Sequence, residues 1–150
     1  MKQIFKITLI ILLASSFQHL FAQDTLSDRA SLLIGKWKLT SHWVERNGKP
    51  EYAPVKGVNY IYELKENGTY ILNREYKSRT SVLNGNWRLG ELQQTIIFYN
   101  SKGNSSELGD FEAPEVYHHI YKLTPDELHI EAVYYTEEKG TSVYKRIKSK

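Results

Sequence analysis

The chain has 150 residues, no cysteine, and 20 basic against 17 acidic side chains. Disulfides, thiol chemistry and a cysteine-linked lipid anchor are therefore excluded. The near balance of charge gives no basis for a nucleic-acid surface.

Residues 1–22 read as an export signal. Lys2 and Lys6 supply a positive start, Ile7 to Ala14 is apolar apart from Thr8, and Leu20-Phe21-Ala22 precedes Gln23. The apolar run is too short to cross a bilayer, which takes about 20 apolar residues. Its removal leaves about 128 residues, enough for one self-supporting domain. Losing Lys2 and Lys6 leaves 18 basic against 17 acidic side chains. The expected destination is the periplasm or the cell exterior, with no membrane-spanning segment, no lipid anchor and no nucleic-acid partner. The basic C-terminus (Lys145, Arg146, Lys148, Lys150) reads as a solvated end strand, because Glu137 and Glu138 lie close by.

Residues 25 to 34 form a short helix that Ser27 is placed to cap, with Ala30, Leu33 and Ile34 as its apolar positions. After Gly35 the pattern alternates at period two: Trp37, Leu39, Ser41 and Trp43 in one row, Lys36, Lys38, Thr40 and His42 in the other. A loop from 46 to 57 contains Asn47-Gly48-Lys49-Pro50. The second strand has the inner row Val58, Tyr60, Tyr62 and Leu64. Asn67-Gly68 marks a hairpin, and Tyr70 and Leu72 resume the alternation as far as Tyr76. The fourth strand runs from Thr80 to Leu89, with Leu83, Gly85, Trp87 and Leu89 on one side. Gly85 implies a bulge or bend within it. Thr95 to Asn100 is the fifth strand, followed by a polar loop from 101 to 114. The sixth carries Tyr117, His119, Tyr121 and Leu123. Thr124-Pro125-Asp126-Glu127 turns the chain into Leu128, Ile130, Ala132 and Tyr134, and Thr141 to Ile147 ends it.

Eight strands with short links and no βαβ rhythm favour an all-β domain of antiparallel strands paired in sequence order. The predicted fold is an eight-stranded antiparallel up-and-down β-barrel with a short N-terminal helix. Closure removes the exposed edges. A two-sheet sandwich is the competitor, but it needs crossovers that hairpin links do not supply.

The segment Leu33-Ile34-Gly35-Lys36-Trp37-Lys38-Leu39 follows a short helix and opens the first strand. With Tyr62-Glu63-Leu64-Lys65-Glu66-Asn67-Gly68-Thr69-Tyr70, Gly85-Asn86-Trp87-Arg88-Leu89 and Leu123-Thr124-Pro125-Asp126-Glu127-Leu128, it resembles the lipocalin-like domains of exported Gram-negative bacterial proteins. The resemblance covers roughly residues 27 to 148. It implies that Gly35 opens the first strand, that Trp37 plugs one end of the barrel, and that Arg146 in the last strand packs across Trp37. It also implies an apolar small molecule as the ligand. The Thr-Asp-Tyr motif and the paired cysteines of many secreted lipocalins are absent, with Val116 to Tyr121 standing where the former would be.

The inner rows hold many amphipathic aromatics, which suit a pocket for a partly polar ligand or, slightly better because side chains alone can fill an eight-stranded barrel, a filled core. The candidate ligand residues are Trp43, Tyr60, Tyr76 and Tyr117 at the rim and Tyr62, His119 and Tyr121 deeper. They belong to an end ringed by the 46–57 and 101–114 loops. His118 and His119 are adjacent and point to opposite faces of a strand, so they cannot chelate one metal together. No hydrolase elbow, zinc helix or phosphate-cradling loop is present. The reading is a binding barrel without metal or cofactor. A filled interaction module of the cell envelope is second and a small barrel enzyme third.

Overall fold

The structure, a computed structural model, describes residues 28–46, 49–132 and 140–148; for 43–46, 49–54 and Ala132 the description is of backbone alone. The proposed signal segment and the capping Ser27 lie outside the described residues. The chain divides into two units, Met1–Ser31 and Leu32–Lys150. Helical residues 28–33 (α1) begin in the first, where the Ser31 hydroxyl donates to the Asp28 carbonyl at 2.7 Å.

The second unit holds ten strands among the described residues: β1 Gly35–Arg46, β2 Lys49–Pro54, β3 Val58–Leu64, β4 Thr69–Tyr76, β5 Arg79–Leu89, β6 Thr95–Ser105, β7 Gly109–Ala113, β8 Val116–Leu123, β9 Glu127–Ala132 and β10 Gly140–Arg146. Eight of them form the staves of an antiparallel up-and-down barrel, in the order β1, β3, β4, β5, β6, β8, β9, β10. Pairing of β10 with β1, from Trp37↔Arg146 to Val44↔Gly140, closes the ring.

The other two strands correct the loop assignments. Residues 46–57 and 101–114 are largely strand. β1 pairs with β3 from Gly35 to Lys38, then with β2 from Ser41 to Arg46. In the same way β6 pairs with β8 from Thr95 to Phe98 and with β7 from Ser101 to Ser105. Both segments fold back as hairpins at the same end of the barrel. They satisfy their backbone groups by pairing, which composition alone does not reveal when the residues are polar.

The opposite end is sealed. Trp37 is fully buried, and its indole N–H donates to the Leu33 carbonyl at 2.8 Å. Trp87 donates likewise to the Lys65 carbonyl at 3.0 Å, across the Asn67-Gly68 turn. The Arg146 guanidinium lies 4.2 Å from the centre of the Trp37 ring and donates to the carbonyls of Leu32, Ile34 and Pro125. Gly35 has φ +135°, and a Cβ there would collide with the Arg146 guanidinium. Above this seal Leu33, Leu39, Leu64, Leu72, Ile96, Leu128 and Ile130 make a continuous apolar core.

Three register shifts interrupt the ladders, at Leu39/Ser41, Asn84/Asn86 and Ile120/Lys122. Each adds one residue to one strand and moves every later side chain to the other face. The extra residues are Thr40 on β1, whose hydroxyl donates to the Val143 carbonyl at 3.0 Å, Asn100 on β6 with φ +51°, and Tyr121 on β8. The bend expected at Gly85 is thus a bulge carried by the facing strand. There β6 comes so close that a Cβ on Gly85 would sit 2.9 Å from the Tyr99 carbonyl oxygen and 3.0 Å from Ser101 Cα.

Two stability predictions follow from the packing. Trp37→Ala removes the plug and lowers unfolding free energy by about 3–5 kcal/mol in a urea titration. Gly85→Ala pushes against backbone that cannot swing aside and costs about 1–3 kcal/mol. Gly90→Ala, where the new methyl makes ordinary contacts of 3.5–3.8 Å, changes the midpoint little. Equal effects at the two glycines would show that the Gly85 contact is not limiting.

Candidate functional site

The barrel interior changes character from one end to the other. Over the apolar core lies an aromatic layer. The Tyr62 ring stacks on Phe98 at 5.2 Å and meets Tyr144 edge-on at 5.5 Å. Tyr70 packs edge-on against Phe98 at 4.7 Å, with its hydroxyl 2.7 Å from the Ser101 hydroxyl. Beyond this layer the inward rows become polar or small. Register carries Tyr60 and Arg74 inward on β3 and β4, Ser81 beside Arg74 on β5, His118 on β8, and Ser142 and Gly140 on β10.

His118 is buried, with its ring edge-on to Phe98 at 5.4 Å and to Tyr62 at 6.5 Å. Its Nδ1 has no hydrogen-bond partner among the described residues. Burial, and secondarily the positive charge of Arg74, push its pKa down to about 4. The imidazole is therefore neutral at neutral pH. Arg74 faces Tyr60 across the β3–β4 ladder, and its guanidinium carbon is 5.8 Å from the Tyr60 ring centre. Its Nε is also buried without a partner. Burial raises the Tyr144 phenol well above its ordinary pKa, with Tyr62 adding to the rise and Arg74 opposing it. Burial likewise raises Tyr70, partly offset by its hydrogen bond with Ser101.

The candidate residues read from sequence divide into separate groups. Tyr60 and Tyr62 line the interior, Tyr62 within the aromatic layer. Tyr76 ends β4 at the open end, with Lys77 Nζ 5.2 Å from its ring centre. The backbone of Trp43 pairs with Thr141 and Tyr52, while its side chain is outside the description. The extra residue Thr40 breaks the alternation counted from Trp37 toward Trp43.

Tyr117, His119 and Tyr121 are a correction: they form the outer row of β8. Tyr117 and Tyr121 are 45% and 58% exposed. Their hydroxyls donate to Glu115 and Glu131, and His119 meets Tyr121 edge-on at 4.8 Å. Leu123 does pack on the core, and counting back from it by twos selects this row. The bulge at Tyr121 breaks the count, so Val116, His118 and Ile120 face inward instead. Arg74 was missed for a related reason. It continues the row of Tyr70 and Leu72, but a charged residue near a strand end is ordinarily read as solvated. The inward alternation was the available signal.

Among the described residues no group of three or more His, Asp and Glu is placed to hold a metal, and no helix is long and apolar enough to cross a membrane. Hollows lined by described residues lie on the outer surface, beside β5 to β7, at the sealed end near Lys36 and Glu63, and where β6 parts from β8.

The fold defines the class: an all-β, eight-stranded antiparallel up-and-down barrel with a short N-terminal helical segment. No family model matches the sequence, and no curated protein matches it. Among solved structures the chain is similar to a redesigned β-barrel, at 15% identity and a TM-score of 0.46, over 80% of this chain and 96% of that one.

His118 gives the site a pH signature. In the unfolded chain its pKa returns to 6.5, against about 4 when folded. Between these values the unfolded state binds a proton that the folded state refuses, so stability falls as pH drops from 6.5 to 4 and this contribution levels off below. The full loss is about 3 kcal/mol at about 1.4 kcal/mol per pH unit. Urea titrations from pH 7 to pH 4 on the parent and on His118→Gln isolate it, with the parent falling more steeply. Parallel curves would mean that His118 is hydrated.

Proposed function

We propose that this protein binds a small, partly apolar molecule in the open half of its barrel, outside the cytoplasm. The observation that carries the reading is a polar interior left incomplete. Buried polar groups are nearly always hydrogen-bonded, yet Arg74 Nε and His118 Nδ1 have no partner among the described residues. A bound molecule with polar atoms at one end would satisfy them, and Tyr60 offers an apolar face beside them. The aromatic layer limits the depth, so the ligand is small. The lipocalin-like resemblance points the same way, and the Gly35, Trp37 and Arg146 arrangement is the one it implies. Export rests on the charged start and apolar run of residues 1–22.

A second reading, an interaction module of the cell envelope, is favoured by the exposed Tyr117 and Tyr121 on the outer face of β8.

A panel of lipids, aromatic acids and pigments tested by intrinsic tryptophan fluorescence separates the two. The proposal expects saturable binding that weakens at least about tenfold on Tyr60→Ala, equivalent to about 1.4 kcal/mol, and survives on Lys38→Ala and Tyr121→Ala. Binding that is indifferent to Tyr60 but lost on Tyr121→Ala would move the site to the outer face. Mass spectrometry of the exported chain should give an N-terminus at or beside Gln23.

A further inference from the structure

Four arginines of the barrel have described side-chain surroundings, and three have conventional partners. Arg79 Nε lies 2.7 Å from a Glu107 carboxylate oxygen, and Arg88 lies 4.0 Å from Glu115. Arg146 gives its donors to three backbone carbonyls. Arg74 has neither a carboxylate nor a carbonyl among the described residues. It has the face of the Tyr60 ring and a buried, unpartnered Nε.

An arginine does not escape this situation by losing its proton, since its charge persists at any ordinary pH. The side chain is half-buried, so its terminal donors are not withdrawn from water and can reach a molecule entering the open end, while the buried Nε lacks a partner among the described residues. The neighbours do not provide a counter-charge. Tyr70 and Tyr144 have phenols whose pKa is raised by burial, so they stay neutral. His118 is neutral too, and its Nδ1 is unsatisfied.

We infer that Arg74 is the anchor for the head group of an anionic ligand, a small monocarboxylate with an apolar tail. This rests on the binding proposed above and names the ligand class. The guanidinium fork matches a carboxylate with two parallel hydrogen bonds, and its carbon lies over the Tyr60 ring at 5.8 Å from the centre, an arrangement that does not use the guanidinium donors. His118 stands on the facing wall to share the head group through a ring N–H. Of the two arginines in the described inward rows beyond the aromatic layer, Arg79 at the rim is paired with Glu107 and Arg74 is without a carboxylate partner. One unpaired positive charge suits a monoanion better than a phosphate dianion. The tail lies along Tyr60 toward Val58 and Tyr76, since the aromatic layer fills the other direction.

Isothermal titration calorimetry with phenylacetate, hexanoate, their uncharged amides and inorganic phosphate tests this on the unaltered protein. The expected result is that at least one acid binds and its amide binds at least tenfold more weakly. Arg74→Gln should then reduce the affinity for the acid at least tenfold and leave that for the amide unchanged, while unfolding at a urea concentration no lower than the parent. Equal affinity for acid and amide would overturn the anionic head group while sparing the binding barrel. If none of the acids or amides binds, and the wider panel is silent as well, the binding reading itself fails. Phosphate binding tighter than either acid would overturn the monocarboxylate assignment. If Arg74→Gln does not fold, Arg74 is structural, and the inference falls unless the parent still separates acid from amide tenfold.

Discussion

Closing a sheet into a barrel requires its first and last strands to meet, and here the meeting is fixed by Arg146 lying across Trp37. The two residues are directly opposed in the β1–β10 ladder. The Arg146 guanidinium covers the plug while tying down carbonyls at Leu32, Ile34 and Pro125, groups from the chain entering the barrel and from the β8–β9 turn. Gly35 is part of the same arrangement, because a side chain there would occupy the position of the guanidinium. Arginine is suited to this place by its planar, many-donor head; a lysine point charge could not serve three carbonyls and a ring face at once. Trp87 ties the Asn67-Gly68 hairpin down in a similar way, so the sealed end is rigid and apolar with its polar edges satisfied.

This end was the most legible part of the sequence. Glycine, tryptophan and the alternation that follows them are local signals, and the turns at Asn67-Gly68 and Thr124 to Glu127 are set by residues within four positions of each other. The side-chain oxygen of Asn67 accepts from the Thr69 backbone at 3.1 Å, and the Thr124 hydroxyl accepts from the Glu127 backbone at 3.0 Å. Eight staves in sequence order were readable for the same reason.

The open end was less legible because its determinants are not local. A bulge changes which residues face inward, yet whether a ladder gains a residue is decided by the strand opposite. The β6 bulge at Asn100 accommodates the close approach at Gly85, and nothing within Thr95 to Ser105 announces it. On β8 the large tyrosines of one row compete with Val116 and Ile120 of the other, and a count started at Leu123 crosses the irregularity at Tyr121. The inner row is His118 with Ile120 because these fit between Tyr62, Phe98 and Ile130. The tyrosines of the other row reach solvent and carboxylates. Polar strands such as β2 and β7 resemble loops until the strand that pairs with them is known.

The two ends thus divide the energetic labour of the molecule. At the sealed end burial and hydrogen bonding act together, and each large side chain has its polar atom satisfied. At the open end burial, and secondarily Arg74, disfavour the charged form of His118, and the two residues are held by the strands that carry them rather than by bonds between them. Such an arrangement persists only on a scaffold whose stability is secured elsewhere, which is the usual relation between a strained site and its fold. A negative group entering between them would attract both and offset the effect of Arg74 on His118. The charge that Arg74 cannot lose would gain a counter-ion, and the proton that His118 refuses would become easier to hold. The sealed end is thus complete in its own hydrogen bonds, whereas Arg74 Nε and His118 Nδ1 in the polar half have no partner among the described residues.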